Sequence, residues 1–146
     1  MLAQAYQKRI PVTVHVSIGA DTIHAHPATS GQALGEATHN DFRLFCTMVA
    51  GLDGGGVYLN VGSAVMLPEV FLKAVAVVRN FGHSLDGLVA VNVDKESRYR
   101  TLMNVLFRPA SEGLELIGHH ELLLPLLHAA VIAKLPAARA GMLRAA

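Results

Sequence analysis

Residues 56–93 constrain the fold of this chain more than any other part of its sequence. A short strand pattern at residues 56–61 leads through Gly62 into a helical pattern over residues 68–81, and a second apolar run follows at residues 88–93. Two strands joined by a helical crossover of this length pair in parallel, because a hairpin turn cannot connect them. The sequence therefore predicts a parallel sheet with a helix packed on it.

Further segments extend this unit on both sides. Residues 11–18 are β-branched at nearly every position and predict a central strand, and the apolar run at residues 102–107 is a candidate for one more. Helical spacing of apolar residues predicts helices over residues 36–52 and 121–135. The expected fold is α/β, a three-layer, mostly parallel sheet with helices on both faces in a Rossmann-like arrangement.

Length and composition limit the classes of protein to consider. A chain of 146 residues fits one domain, expected over residues 1–135, with a frayed Ala-rich tail at residues 136–146. Hydrophobic residues make up 52% and charged residues 16%, against about a quarter in typical proteins, which excludes disorder. So little charge predicts exposed apolar surface and a homo-oligomer, or a fragment that lacks a partner domain.

Charge and cysteine content narrow the partners and the compartment. The net charge is +1 with no basic stripe, so we expect no nucleic-acid partner. No apolar run reaches the length of about 18 to 20 residues that a membrane-spanning helix needs. Cys46 is the only cysteine, which excludes an intrachain disulfide and favours a reduced, cytoplasmic location.

The turn between the first strand and the first helix of the parallel unit is one candidate ligand site. In open parallel sheets ligands bind beyond the carboxyl ends of strands, where a glycine lets the backbone approach an anion. An ordinary strand-to-helix turn also needs a glycine, so both interpretations stay open. The candidate cofactor-binding residues here are Gly55, Gly56, Asn60, Gly62 and Ser63.

Two polar segments add further candidates. The loop before the first long helix contains His26, Ser30 and Gly31, and Glu36 lies in the first turn of that helix; these residues could cap the helix or bind a ligand. Asn92 and Asp94 come at the end of the second strand of the parallel unit, and Asp94 opens a charged cluster. We predict that Ser30, Gly31, Asn92 and Asp94 help to bind a cofactor and that His26 and Glu36 are catalytic.

Histidines support a different hypothesis. His24 and His26 would project to the same side of an extended segment, and with His120 they could hold zinc or iron. A metal-dependent hydrolase is therefore the alternative function.

Three short motifs resemble the later half of the deoxyhypusine synthase-like family. They are IPV at residues 10–12, ATSGQALGE at residues 28–36 and GGGV at residues 54–57, and Asn92 falls at a similar strand end. The resemblance implies a Rossmann-like domain that binds NAD and a small amine. It also implies that Glu36 holds the amine and that Gly31 takes the place of an aspartate near the cofactor.

The same resemblance sets a limit on activity. The family's catalytic lysine follows Trp-Gly, and this chain contains no tryptophan. A lysine is needed to form the covalent imine with the aminobutyl group. We therefore expect an NAD-binding, transferase-like protein without complete aminobutyl-transferase chemistry; a non-catalytic oligomeric subunit is a second alternative.

Overall fold

The computed structural model describes residues 2–135, which form an α/β domain with an open sheet. The predicted tail at residues 136–146 lies outside the described residues. In chain order the elements are α1 (Leu2–Gln7), a 3-10 turn (Thr22–Ala25), α2 (Gly31–Ala50), β1 (Val57–Val61), α3 (Met66–Asn80), β2 (Val89–Asp94), α4 (Tyr99–Thr101) with a π-helical continuation (Leu102–Phe107), β3 (Glu112–Ile117) and α5 (His120–Lys134).

The sheet has three parallel strands in the order β1-β2-β3. Its register places Asn60 beside Asn92 and Asn92 beside Glu115. The predicted strand–helix–strand unit is confirmed, with each boundary within two residues of the expected one. The part of the chain that the structure describes thus has an α/β fold with a parallel sheet.

One face of the sheet carries the core. Tyr58 and Gly113 flank Ala90 in the register and pack under α3 and the π-helical segment. The Tyr58 ring stacks on Phe71 with centroids 3.6 Å apart, and burial raises the pKa of Tyr58 to about 12. A Cβ on Gly113 would lie 2.7 Å from Leu106 Cβ, so only glycine lets the π-helical segment approach β3 this closely.

The opposite face of the sheet is aliphatic and only partly covered. Val91 and Val93 in the central strand are buried. Side chains on the two outer strands are exposed, with Val57 at 60%, Leu59 at 45% and Leu114 at 46%. Helices normally cover both faces of a parallel sheet, whereas residues 2–135 leave part of this face exposed.

The helix α2 begins earlier than its apolar pattern suggested. Ser30 Oγ accepts a 3.2 Å hydrogen bond from the backbone N–H of Ala33, so Ser30 is the N-cap and the predicted loop ends there. The helix packs on α3 and ends at Ala50. Its side chains also determine the path of the segment before it.

Residues 11–18 do not form the predicted central strand, and that prediction is wrong. The segment has no regular secondary structure and lies against α2. The backbone N–H of Val14 donates to Asp41 Oδ2 at 2.7 Å, and that of Val16 donates to Thr38 Oγ1 at 3.3 Å. The side chains of α2 therefore accept the backbone hydrogen bonds that the carbonyls of a neighbouring strand would accept in a sheet.

The prediction of a strand at residues 102–107 is also wrong. These residues are the π-helical segment, whose apolar side chains fill the core beside α3. The third strand is Glu112–Ile117, which follows directly. A short apolar run fits either a buried helix or a buried strand, and tertiary packing decides between them.

Within residues 2–135, no helix is both long and apolar enough to cross a membrane.

Candidate functional site

The carboxyl ends of the three strands meet at one edge of the sheet. We call this the carboxyl edge, and it consists of the last strand residues and the turns that follow them: residues 60–65 at β1, 92–98 at β2 and 115–121 at β3. The predicted residues Asn60, Gly62, Ser63, Asn92 and Asp94 all lie here. Parallel α/β sheets bind ligands at this edge.

The turn from β1 to α3 is fixed by hydrogen bonds at both ends. Gly62 has φ +65°, a conformation that favours glycine, and its N–H donates to Val93 O at 3.0 Å. Ser63 Oγ accepts from Leu67 N–H at 3.2 Å, and Ser63 O accepts from Asn60 Nδ2 at 2.9 Å. The amide of Gly62 is consequently engaged by the sheet and is not available to an anion.

The next three backbone amides of this turn have no acceptor within residues 2–135. They belong to Ser63, Ala64 and Val65, directly before α3. Val65, the N-cap residue of α3, offers no side-chain acceptor to the first turn of that helix. Unpaired amides at a helix start attract negative charge, and the helix dipole adds to that attraction.

A buried chain of amides lies beneath this turn. Asn60 Nδ2 donates to Asn92 Oδ1 at 2.8 Å, and Asn92 Nδ2 donates to Glu115 Oε1 at 3.1 Å and to Thr101 Oγ1 at 3.4 Å. An ionised carboxylate can only accept, so Glu115 fixes the orientation of Asn92, and Asn92 fixes that of Asn60. Glu115 on β3 therefore determines the donor-to-acceptor direction of the whole network, as far as Asn60 on β1.

With the amides oriented in this way, one acceptor atom of the network has no donor. Asn60 is only 1% exposed, and its buried Oδ1 atom has no hydrogen-bond donor among the described residues. Leaving a buried carbonyl oxygen without a donor costs about 1–3 kcal/mol. Because this atom is closed to solvent, a buried water molecule can supply the missing donor, and a ligand group can do so only if the turn above it opens.

The residues after β2 bring charge to the carboxyl edge. Asp94 Oδ1 accepts from the backbone N–H of Lys95 at 2.7 Å, and Arg98 reaches both Asp94 and Glu96. The side chain of Lys95 forms no ion pair within 4.0 Å in the part of the chain that the structure describes. Its ammonium group is the cation of this cluster that remains available to a ligand.

The start of α5 closes over the glycine turn. His120 Nε2 donates to Val93 O at 3.1 Å, the carbonyl that also accepts from Gly62. Because a carbonyl cannot donate, this bond places the proton of a neutral imidazole on Nε2. A hydrogen bond from its own backbone amide, aided by the charge of Lys95, lowers the pKa of Glu121.

Gly55 and Gly56 are not part of this edge. They precede β1 and so lie at the amino end of the strand, about 15 Å from its carboxyl end. A Cβ on Gly56 would fall 2.6 Å from the Leu52 side chain, and one on Gly87 would fall 3.4 Å from Gly55 Cα. These glycines allow the α2–β1 connection to pack closely against the turn before β2.

The other predicted residues lie around the start of α2. Ser30 caps the helix, Gly31 is its first residue, and Glu36 is exposed on its second turn. His26 Nδ1 accepts from Ala28 N–H at 3.2 Å in the preceding loop. Within residues 2–135 no hydrogen bond or ion pair joins these residues to the carboxyl edge. The structure therefore places Ser30 and Gly31 beside the predicted catalytic pair, but not the cofactor residues predicted at the ends of β1 and β2.

The three predicted metal ligands are not gathered either. His24 Nδ1 bonds to Asp21 O at 3.1 Å, whereas His120 bonds to β2. Within residues 2–135 there is no group of three or more His, Cys, Asp or Glu side chains that could hold a metal ion. The geometry of the described residues therefore gives no support to the metal-dependent hydrolase.

Sequence reasoning missed Glu115 and Thr101, which complete the amide network. Glu115 sits in a strand that was not predicted, and Thr101 lies in α4, for which no element was predicted. The alternation of Leu114, Glu115 and Leu116 was the available signal, because it is typical of a strand.

Comparison of the chain with protein-family models, curated proteins and solved structures gives no match. The resemblance to the deoxyhypusine synthase-like family thus rests on its short motifs alone.

Proposed function

We propose that this chain is a nucleotide-binding domain whose ligand site is the carboxyl edge of the sheet, and that NAD is the first ligand to test. The open parallel sheet, which is consistent with a Rossmann-like arrangement, and the deoxyhypusine synthase-like motifs both favour a dinucleotide. The proposal covers binding and includes no aminobutyl transfer, since Glu36 and His26 lie around the start of α2.

One observation carries the proposal: the three successive amides of residues 63–65 without acceptors, at the same edge as the ammonium group of Lys95. A pyrophosphate offers acceptors to amides and charge to an ammonium group. The unpartnered Asn60 Oδ1 beneath the turn is a second polar feature, and a ribose hydroxyl or the adenine amine would donate to it if the turn opens on binding. A simple inorganic anion would satisfy only the first of these two features.

Calorimetric titration of NAD into the parent and into Lys95→Gln tests the proposal. Losing one charge-assisted contact should weaken binding about ten-fold, equivalent to about 1.4 kcal/mol. Lys73→Gln is the matched control, since Lys73 lies two turns into α3 and pairs with Glu69. Nicotinamide riboside, which lacks the pyrophosphate, should bind the parent and Lys95→Gln equally. Equal NAD affinity in all three proteins would refute the role of Lys95.

The uncovered sheet favours a second candidate, a subunit of a homo-oligomer. The outer edge of β1 has no strand partner within residues 2–135, and β1 contains no charged residue or proline. At the other edge, β3 carries Glu112 and Glu115, whose like charges oppose pairing of two copies there. We infer that association, if it follows a sheet edge, uses β1; nucleotide binding and association are compatible.

A further inference from the structure

A groove between α2 and α3 lies apart from the carboxyl edge. Its volume is about 650 Å³, within the range of small-molecule sites, and it is open to solvent. The apolar side chains of Phe42, Ala50, Val77 and Phe81 line it. Val78, which is 3% exposed, belongs both to its lining and to the core below. The groove is thus built on packed residues.

Basic side chains also line the groove. His39 and Arg43 lie one turn apart on α2, and His83 faces them from beyond α3. His83 Nδ1 is 3.2 Å from Asp53 Oδ2 and is therefore already paired. Arg43 forms no ion pair within 4.0 Å among the described residues, and no acidic side chain lines the groove. Its guanidinium group can take a carboxylate in bidentate geometry.

We propose that this groove binds a small apolar monocarboxylate, with its hydrocarbon chain between α2 and α3 and its carboxylate on Arg43. The chemistry of the lining selects this class. Burial of the chain supplies affinity, at about 25 cal/mol for each Å² of apolar surface removed from water. The single available guanidinium group supplies selectivity for an anionic head. Phe81 is 82% exposed, and in this proposal its ring contacts the ligand as one wall of the groove.

Cys46 provides a site-specific reporter of occupancy. It lines the groove and is the only cysteine of the chain, so thiol alkylation of the whole protein measures access to this site. Decanoate and decanol, with chains of equal length, are the probes. We expect both to slow alkylation of the parent protein and decanoate to do so at a concentration about ten-fold lower.

Arg43→Gln separates the charge from the apolar contribution. Its affinity for decanoate should fall about ten-fold, while decanol should protect Cys46 as it does in the parent; this also shows that the groove is intact. Arg43→Lys should retain part of the preference for decanoate, and Lys8→Gln, at an exposed position outside the groove, should change nothing.

Three results would overturn the proposal. They are absence of protection by decanoate, equal protection of the parent by decanoate and decanol, and unchanged decanoate affinity in Arg43→Gln. Protection of Cys46 that rises with protein concentration in the absence of ligand would also overturn it, because a second copy of the chain would then cover the groove. None of these results bears on NAD binding at the carboxyl edge.

Discussion

Asn60 Nδ2 donates a 2.8 Å hydrogen bond to Asn92 Oδ1 across the β1–β2 pair, in a position where both residues are almost completely buried. Two amides in a sheet interior are costly unless they are bonded. Here they connect the turn after β1 to Glu115 on β3, so the network holds the three strand ends in one arrangement.

Asn92→Ala should lower the free energy of unfolding by about 1–3 kcal/mol, because it removes hydrogen bonds and leaves the Asn60 amide with fewer partners. Urea unfolding of the two proteins measures the difference. Asn80→Ala, at the exposed end of α3, is the control and should stay within about 0.5 kcal/mol of the parent. Equal stability of Asn92→Ala and the parent would contradict the structural role of the network.

Gly62→Ala should destabilise the fold by about 1–2 kcal/mol, since an L side chain is strained at φ +65°. The new Cβ would lie 3.6 Å from the His120 ring, an ordinary contact, so the loss comes from the backbone. Gly35→Ala, inside α2 with nothing within 4 Å of its Cβ, should instead stabilise by about 0.5–1 kcal/mol. Thermal unfolding that shifts both variants in the same direction would contradict this assignment.

The stability of the turn before β2 should depend on pH through Asp53. The 2.7 Å hydrogen bond from Leu85 N–H, aided by His83, holds the pKa of Asp53 below its ordinary value of 3.8. A lowered pKa means that the ionised carboxylate stabilises the fold above pH 3.8 and that this contribution disappears as the pH falls through the folded value.

Asp53→Asn keeps the shape of the side chain and removes its charge. Urea unfolding at neutral pH should show the parent to be the more stable protein, and the two should converge as the solution is acidified. Asp86→Asn, which removes the charge of an exposed neighbour, is the control. A difference that stays constant down to acid pH would refute the role of the Asp53 carboxylate.

Association through β1 can be tested by a proline. Gly56 O and Gly62 N–H both bond to β2, so alternation turns the backbone groups of Leu59 to the open edge. Leu59→Pro therefore removes an edge donor without breaking the β1–β2 pair. Sedimentation should show an oligomer for the parent and dissociation of Leu59→Pro.

Leu59→Ser is the control for that experiment, because it removes the same apolar side chain but keeps the N–H. It should weaken association less than the proline does. A parent that is monomeric at high concentration, or equal effects of the two substitutions, would rule out pairing along this edge.

The sequence predicted the β1–α3–β2 unit because its glycine turn and its change from strand to helix periodicity are local signals. It failed for residues 11–18, whose β-branched composition suits a strand, because Asp41 and Thr38 on a distant helix bind that backbone. β3 was missed because its two glutamates mask a strand that is paired on one side only.

The candidate site was predictable to a similar extent. Asn60, Gly62 and Asn92 were identified because residues at the ends of parallel strands share an edge of the sheet. Gly55 and Gly56 were included because a glycine-rich run attracts a ligand interpretation, yet Gly56 is needed where Leu52 packs against it and Gly55 is needed for its φ of +113°. Contacts between segments far apart in sequence are not visible in the local pattern.

The central claim, that a nucleotide binds at the carboxyl edge, is tested most directly by NMR spectroscopy of the isotope-labelled protein during titration with NAD. We predict saturable shifts of the backbone amide signals of Ser63, Ala64 and Val65, with a smaller change at Lys95 and none at Gly55 and Gly56. The absence of any shift at millimolar NAD, or shifts confined to the amino ends of the strands, would contradict the claim.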